Sequence, residues 1–126
     1  MVTMSDLNQA MTSCLSIEGA LGAALVDQDS GMALATAGSP ESLDLEVAAA
    51  GNSSVVRAKL RTIAELGLDD EIEDILITLG RQYHIIRPIS GQDGQGLFLY
   101  LVLDKSRANL ALARFRLTKI EKEFRL

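Results

Sequence analysis

Apolar positions recur at helical spacing in three stretches of this chain. The first stretch reads TMSDLNQAMTSC, and the spacing of Thr3 and Asp6 favours a capping box at its start. The second stretch covers about residues 43–66. The third fills the last part of the chain, with Asp104 or Ser106 as its N-cap. The pattern therefore predicts three amphipathic helices.

Five short apolar runs between the helices indicate β-strands. Two of them, GALGAALVD and GMALATA, are joined by DQDSG, which favours a hairpin turn with a positive φ at Gly31. The other three runs are IEDILITLG, QYHIIRP and GLFLYLVLD. The last run is apolar throughout residues 97–103, so both of its faces should be covered inside the sheet. The predicted order of elements is α-ββ-α-βββ-α.

The second predicted helix has a weak centre. Gly51, Asn52, Ser53 and Ser54 lie near its middle, where glycine costs about 1 kcal/mol relative to alanine. Gly67 falls where a left-handed C-terminal cap would end the helix. The small residues at the centre either allow another backbone to come near, as where two helices cross, or mark local strain or a kink. Both interpretations stay open at this point.

Length and composition indicate one soluble domain. With 126 residues, 48% of them apolar, the chain is long enough to bury a core. No stretch approaches the roughly 18 uninterrupted apolar residues of a membrane span, and the amino terminus lacks the features of a secretion signal. We therefore expect a single cytoplasmic domain over residues 1–126, with no membrane insertion.

Charge is unevenly distributed along the chain. The net charge of -5 argues against a nucleic-acid partner, because surfaces that bind nucleic acid collect basic side chains. Seven of the twelve basic residues nevertheless fall in the last 22 positions, whereas the segment DDEIED contains five carboxylates. Such clusters are typical of solvated faces, and the alternative is that they steer a charged protein partner.

Candidate catalytic chemistry is sparse. The single cysteine, Cys14, and the single histidine, His84, cannot together form a Cys/His zinc site. The phosphate-binding motif G-x-x-x-x-G-K-[ST] is absent, and Asp27 and Asp29 lack the later ligands of a calcium loop. Nothing in the spacing pairs His84 with Cys14 as base and nucleophile, so we interpret His84 as a sheet residue. The sequence predicts a protein that is not an enzyme and has no metal or cofactor.

The order of elements also resembles a known family. The chain is similar to Roadblock-type (dynein light chain related) proteins of the small bacterial branch in three segments, LSIEGALGAALVDQDSGMALA, GLDDEIEDILITLGRQYHIIRPIS and GLFLYLVLDKSRANLALAR. The resemblance covers nearly the whole chain and consists of patterns rather than catalytic motifs. It implies a profilin-like, three-layer α/β (α+β) fold, with one antiparallel five-stranded sheet and helices on both of its faces.

The resemblance further implies a homodimer. In the family, the third strand pairs with its two-fold mate into one continuous sheet, and the second helices pack beside each other across the same axis. Carried onto this chain, the dimer interface comprises three strand residues and five helix residues, which are Ile72, Ile75, Ile77, Ala48, Ala49, Asn52, Val55 and Val56.

The function that the resemblance implies is regulation of another protein. Family members serve as platforms or activity regulators for Ras-like small GTPases and lack catalytic residues. Asn52, Arg57 and Arg61 on the second helix are the partner-binding residues that we expect, and none of them is nominated as an arginine finger. The alternative is a small-molecule sensor on the same fold, which a buried pocket lined by polar groups would favour.

Overall fold

The structure is a computed structural model that describes residues 3–38, 43–89 and 96–124, without the side chains of Met4, Ser5 and Phe124. Within these ranges the elements are α1 (Met4–Leu15), β1 (Ala20–Asp27), β2 (Ala33–Ala37), α2 (Leu45–Glu65), β3 (Ile75–Thr78), β4 (Gln82–Pro88), β5 (Leu97–Asp104) and α3 (Leu110–Phe124). The predicted order of elements is confirmed. The polar segments GSPES and SGQDGQG, which the sequence predicts as loops before α2 and β5, lie mostly outside the described residues. None of the helices in the described ranges is both long and apolar enough to cross a bilayer.

The strands form one antiparallel sheet in the order β2-β1-β5-β4-β3. β5 lies at the centre, paired with β1 on one side and with β4 on the other. Every residue from 98 to 103 is buried, which confirms the interior position predicted for this strand. β2 and β3 are the two edges of the sheet.

Helices cover both faces of the sheet. On one face, α1 and α3 pack against a cluster that includes Leu25 and Leu101. On the other face, α2 packs against a cluster that includes Val26 and Val102. Neighbouring residues of one strand thus belong to opposite layers, because successive side chains of a strand alternate between faces. The predicted three-layer architecture is confirmed.

Local hydrogen bonds set the helix ends. Thr3 and Asp6 form the predicted capping box, in which the Asp6 N–H donates to Thr3 Oγ1 at 3.2 Å and the Thr3 N–H donates to Asp6 Oδ2 at 2.9 Å. α3 begins later than predicted, because Asn109 Oδ1 accepts a backbone N–H three residues further on at 3.0 Å. The predictions of Asp104 or Ser106 as its N-cap are therefore wrong. Asp104 instead accepts hydrogen bonds from the Ser106 N–H and hydroxyl and closes the preceding turn.

Two glycines allow close approach between layers. Gly19 has a φ of 87°, and a Cβ added there would lie 3.0 Å from the Cα of Ala108, just before α3. Gly31 has a φ of 76°, which confirms the prediction for the β1-β2 turn. A Cβ at Gly31 would lie 3.3 Å from the Cα of Ala50, so the hairpin turn packs closely against α2.

Candidate interaction surface

Helix α2 covers only part of the sheet face on which it lies. It packs against β1 and β2, and Arg57 Nη1 donates to the Asp29 carbonyl oxygen in the hairpin turn at 3.4 Å. On the same face, β3 and β4 keep half-buried side chains, including Ile75, Ile77 and His84. We call this part of the sheet, residues 75, 77, 82 and 84, the uncovered face. It lies beside α2, on the side away from the hairpin.

The carboxyl-terminal half of α2 extends beyond the core. Every residue from 57 to 68 is exposed except Ile63, which is half-buried. Leu66 is 64% exposed, Leu68 is 55% exposed, and Val55, just before this half of the helix, is 41% exposed. Burying an apolar side chain of this size stabilises a complex by about 1.5–3 kcal/mol. Several exposed apolar side chains at the end of α2 and directly after it therefore mark a surface suited to a protein partner.

β3 is an edge strand whose outward backbone groups are available for pairing. The Leu79 N–H donates to the Gln82 carbonyl oxygen at 2.8 Å, so the odd-numbered residues of β3 direct their backbone groups towards β4. The backbone groups of Leu76 and Thr78 consequently point away from the sheet. The strand sequence ILIT carries neither a charge nor a proline that would block another strand.

Polar side chains connect the uncovered face to α2. His84 Nδ1 lies 2.9 Å from the Tyr100 hydroxyl, and His84 Nε2 lies 2.8 Å from Gln82 Oε1. Burial lowers the pKa of His84. Burial also raises the pKa of Tyr100, and the nearby side-chain amide of Asn52 opposes that rise. Asn52 Nδ2 is buried, yet it makes no hydrogen bond of normal geometry within the described ranges. The side-chain amide of Asn52 thus has an N–H donor without a well-placed acceptor among the described residues, at the point where α2 meets the uncovered face.

The sheet separates His84 from Cys14. The Cys14 thiol is buried in the layer of α1 and α3, and burial raises its pKa to about 12. His84 projects from the opposite face of the sheet, where it contacts Tyr100. The two side chains cannot act as nucleophile and base together. Among the described residues, no three His, Cys, Asp or Glu side chains are grouped as a metal site requires.

Five residues of α2 were predicted to lie in the dimer interface. Three of them share one side of the helix, and the other two are buried within their own chain. Helical spacing places Ala48, Asn52 and Val55 on the side of α2 that faces away from the hairpin, towards the uncovered face. Ala49 and Val56 are fully buried against the sheet of their own chain. Their assignment to the dimer interface is corrected, because they have no surface to offer a second copy.

The remaining predicted residues lie on β3, before it and on the outer side of α2. Ile75 and Ile77 belong to β3 and are half-buried, whereas Ile72 lies before the strand. Arg57 and Arg61 are exposed on α2, one helical turn apart. They point away from the uncovered face, since Arg57 reaches the hairpin turn.

The apolar end of α2 and the segment that joins it to β3 were not predicted from the sequence as part of a surface. Leu66 and Leu68 lie on either side of Gly67, at and beyond the C-cap, and both are exposed. The available signal was a pair of leucines at a helix end followed directly by carboxylates. The two leucines of such a segment are buried only if another chain packs against them.

No protein-family model matches the sequence, and comparison with curated proteins found no match. Solved structures do match. MglB of Myxococcus xanthus aligns with a TM-score of 0.83 at 19% identity, over 98% of this chain and 89% of that one. A Roadblock/LC7 domain from Streptomyces avermitilis aligns with a TM-score of 0.77 at 15% identity, over 94% and 93%. This chain has the Roadblock/LC7 fold.

A third structure with the Roadblock/LC7 fold bears on assembly. It is described as MglB with tetrameric arrangement, and it aligns with a TM-score of 0.71 at 19% identity, over 98% of this chain and 96% of that one. The fold that the resemblance implied is therefore confirmed. At these identities the likeness establishes the Roadblock/LC7 fold alone.

Proposed function

We propose that this chain is a non-enzymatic, dimeric interaction module that binds and regulates a Ras-like small GTPase. The observation that carries the proposal is the uncovered face beside α2, bordered by the outward backbone groups of β3. The tetrameric arrangement of one protein with this fold supports self-association. The choice of a GTPase as the partner rests on the resemblance to Roadblock-type proteins.

The proposed dimer has a two-fold axis beside β3. Antiparallel pairing of two β3 strands satisfies the outward backbone groups of Leu76 and Thr78 and joins the two sheets. The α2 helix of each copy then approaches the uncovered face of the other. There Val55 buries its exposed surface, and the half-buried Asn52 lies on the same side of α2.

The GTPase is proposed to bind across the outer sides of the two α2 helices. Arg57 is held in place by two long hydrogen bonds, to the Asp29 carbonyl oxygen and to Ser54 Oγ, each at 3.4 Å. Arg61 is exposed one turn further along the helix. A GTPase has no two-fold symmetry, so one molecule contacts the two helices unequally. Its nucleotide turnover changes only if the dimer stabilises a switch conformation that the GTPase already samples.

Calorimetric titration with candidate Ras-like GTPases, each in its GDP and GTP-analogue forms, tests the proposal. We expect one GTPase to bind per two chains, with a preference for one nucleotide state. Arg57→Ala and Arg61→Ala should weaken binding, whereas the control Lys119→Ala, on the exposed side of α3, should not. Absence of binding in either state, together with a small molecule retained by the purified protein, would contradict the proposal and favour a sensor.

A further inference from the structure

A basic pocket opens at one end of the sheet, beside the β3-β4 turn. This cavity of about 440 Å³ is lined by Gly80, Arg81, Asp104, Lys105 and Ser106. The Lys105 N–H donates to the Arg81 carbonyl oxygen at 3.0 Å, so the backbone keeps the two cationic residues together. Lys105 Nζ is 3.4 Å from the Leu79 carbonyl oxygen and 5.6 Å from the centre of the Tyr83 ring.

The positive charge of the pocket is not balanced within the described part of the chain. Arg81 and Lys105 are exposed and form no ion pair there. Asp104 also lines the pocket, but its carboxylate accepts hydrogen bonds from Ser106 and lies 3.7 Å from Arg107 Nε. The pocket can therefore take a carboxylate from another molecule.

An acidic segment with unpaired carboxylates precedes β3. It comprises residues 69–73, whose four carboxylates belong to Asp69, Asp70, Glu71 and Glu73. All four residues are exposed, and none forms an ion pair with another described residue. Asp74 differs, because Arg114 donates to both of its carboxylate oxygens at 3.0 Å. The exposed acids thus lie directly before the strand proposed to join two copies.

Strand geometry restricts how two β3 strands can pair. Because the even-numbered residues direct their backbone groups outward, only they can exchange hydrogen bonds across the axis. Two residues that face each other must then have numbers with an even sum. The two such registers that best overlap the strands centre on Leu76 or on Ile77.

Both registers bring a glutamate of one copy alongside the β3-β4 turn of the other, which carries Arg81. In the register centred on Leu76, Glu73 faces Leu79 of the other copy, and Glu71 passes its β3-β4 turn. In the register centred on Ile77, Glu73 itself passes that turn. The acidic segment of one copy therefore runs past Arg81 of the other copy in either case, twice per dimer.

We propose that the basic pocket is the docking site for the acidic segment of the second copy, so that these charges fix the register of the joined sheet. The inference rests on the proposed dimer and adds to it a specific site that a single chain leaves incomplete. Charge complementarity and continuity with the β3 edge select a second copy as the occupant. Opposite charges facing each other across paired strands favour one register over its neighbours.

Charge reversal tests this site in the full chain. Arg81→Glu places like charges together at both symmetric sites and should raise the dimer dissociation constant about tenfold at low salt. Either Glu71→Lys or Glu73→Lys, combined with Arg81→Glu, should restore tight association. The glutamate that restores it identifies the register. The effect should shrink at high salt, because these residues are exposed.

Sedimentation equilibrium provides the dissociation constants, and Lys119→Glu is the control with the same charge change on the exposed side of α3. Circular dichroism of each variant checks that the fold is retained. If Arg81→Glu changes the dissociation constant no more than the control, or if neither lysine variant restores it, the docking site is wrong while the dimer stands. A wild-type chain that is monomeric at micromolar concentration would overturn both proposals.

Discussion

The substitution that best separates dimer formation from folding is Thr78→Pro. Thr78 is exposed at the end of β3, and its N–H points away from β4, so proline there removes no sheet hydrogen bond within the chain. Ile75→Pro is a poorer choice. Ile75 directs its N–H towards β4, and proline at that position would damage the monomer as well.

The expected loss follows from the hydrogen bonds at the axis. In the proposed dimer each Thr78 N–H donates to the other copy, so the substitution deletes both symmetric hydrogen bonds and leaves their acceptors unpaired. One hydrogen bond contributes about 1 kcal/mol net, and a buried acceptor left unsatisfied costs about 1–3 kcal/mol. A total loss of about 3 kcal/mol raises the dissociation constant by roughly a hundredfold.

Sedimentation velocity over a dilution series measures this change, and Thr78→Ala, which keeps the N–H, is the control. We expect Thr78→Ala to remain dimeric and Thr78→Pro to sediment as a folded monomer with an unchanged far-ultraviolet spectrum. If Thr78→Pro associates as tightly as Thr78→Ala, then β3 does not join the two copies.

Two further predictions concern the fold of the single chain. Gly19→Ala should lower the free energy of unfolding by about 1–3 kcal/mol, because the site has a φ of 87° and faces the backbone of Ala108, and urea denaturation measures the loss. Gly51→Ala, in the open centre of α2, is its control and should leave the protein as stable or stabilise it by up to about 1 kcal/mol. His84 has a pKa lowered by burial from its usual 6.5, so the stability it contributes is complete above that value and is lost as the pH falls. The melting temperature should fall more between about pH 8 and about pH 5 for the wild type than for His84→Gln. Equal falls in the two proteins would contradict this role of His84.

The sequence correctly predicted the elements whose residue pattern is compatible with only one local structure. Residues 97–103 are apolar without interruption, and only a central strand buries both faces of such a run. Gly31 and Gly67 both have positive φ, as the turn and cap patterns required. The start of α3 was misplaced because Asp104, Ser106 and Asn109 are all good caps, and only Asn109 accepts the backbone hydrogen bond that begins the helix, whereas Asp104 closes the turn before it.

The candidate interface was harder to predict, because periodicity identifies a helix stripe but not what the stripe packs against. On α2, Ala49 and Val56 pack on the sheet of the same chain, while Ala48 and Val55 are one position away on a neighbouring side. Neighbouring positions on a helix point about 100° apart, so an error of one residue assigns a core side chain to the interface or the reverse. Ile72 was placed in β3 because the strand was predicted from the first residue of the run IEDILITLG, although it begins at residue 75.

In the proposed complex, two copies of the chain present one joint surface to a single GTPase. Light scattering after size exclusion measures the masses, on the protein alone and on its mixture with a GTP-analogue-bound candidate. We expect twice the 13.5 kDa chain mass for the protein alone, and that mass plus one GTPase for the mixture. A protein of 13.5 kDa that leaves the elution of every candidate GTPase unchanged would contradict this expectation.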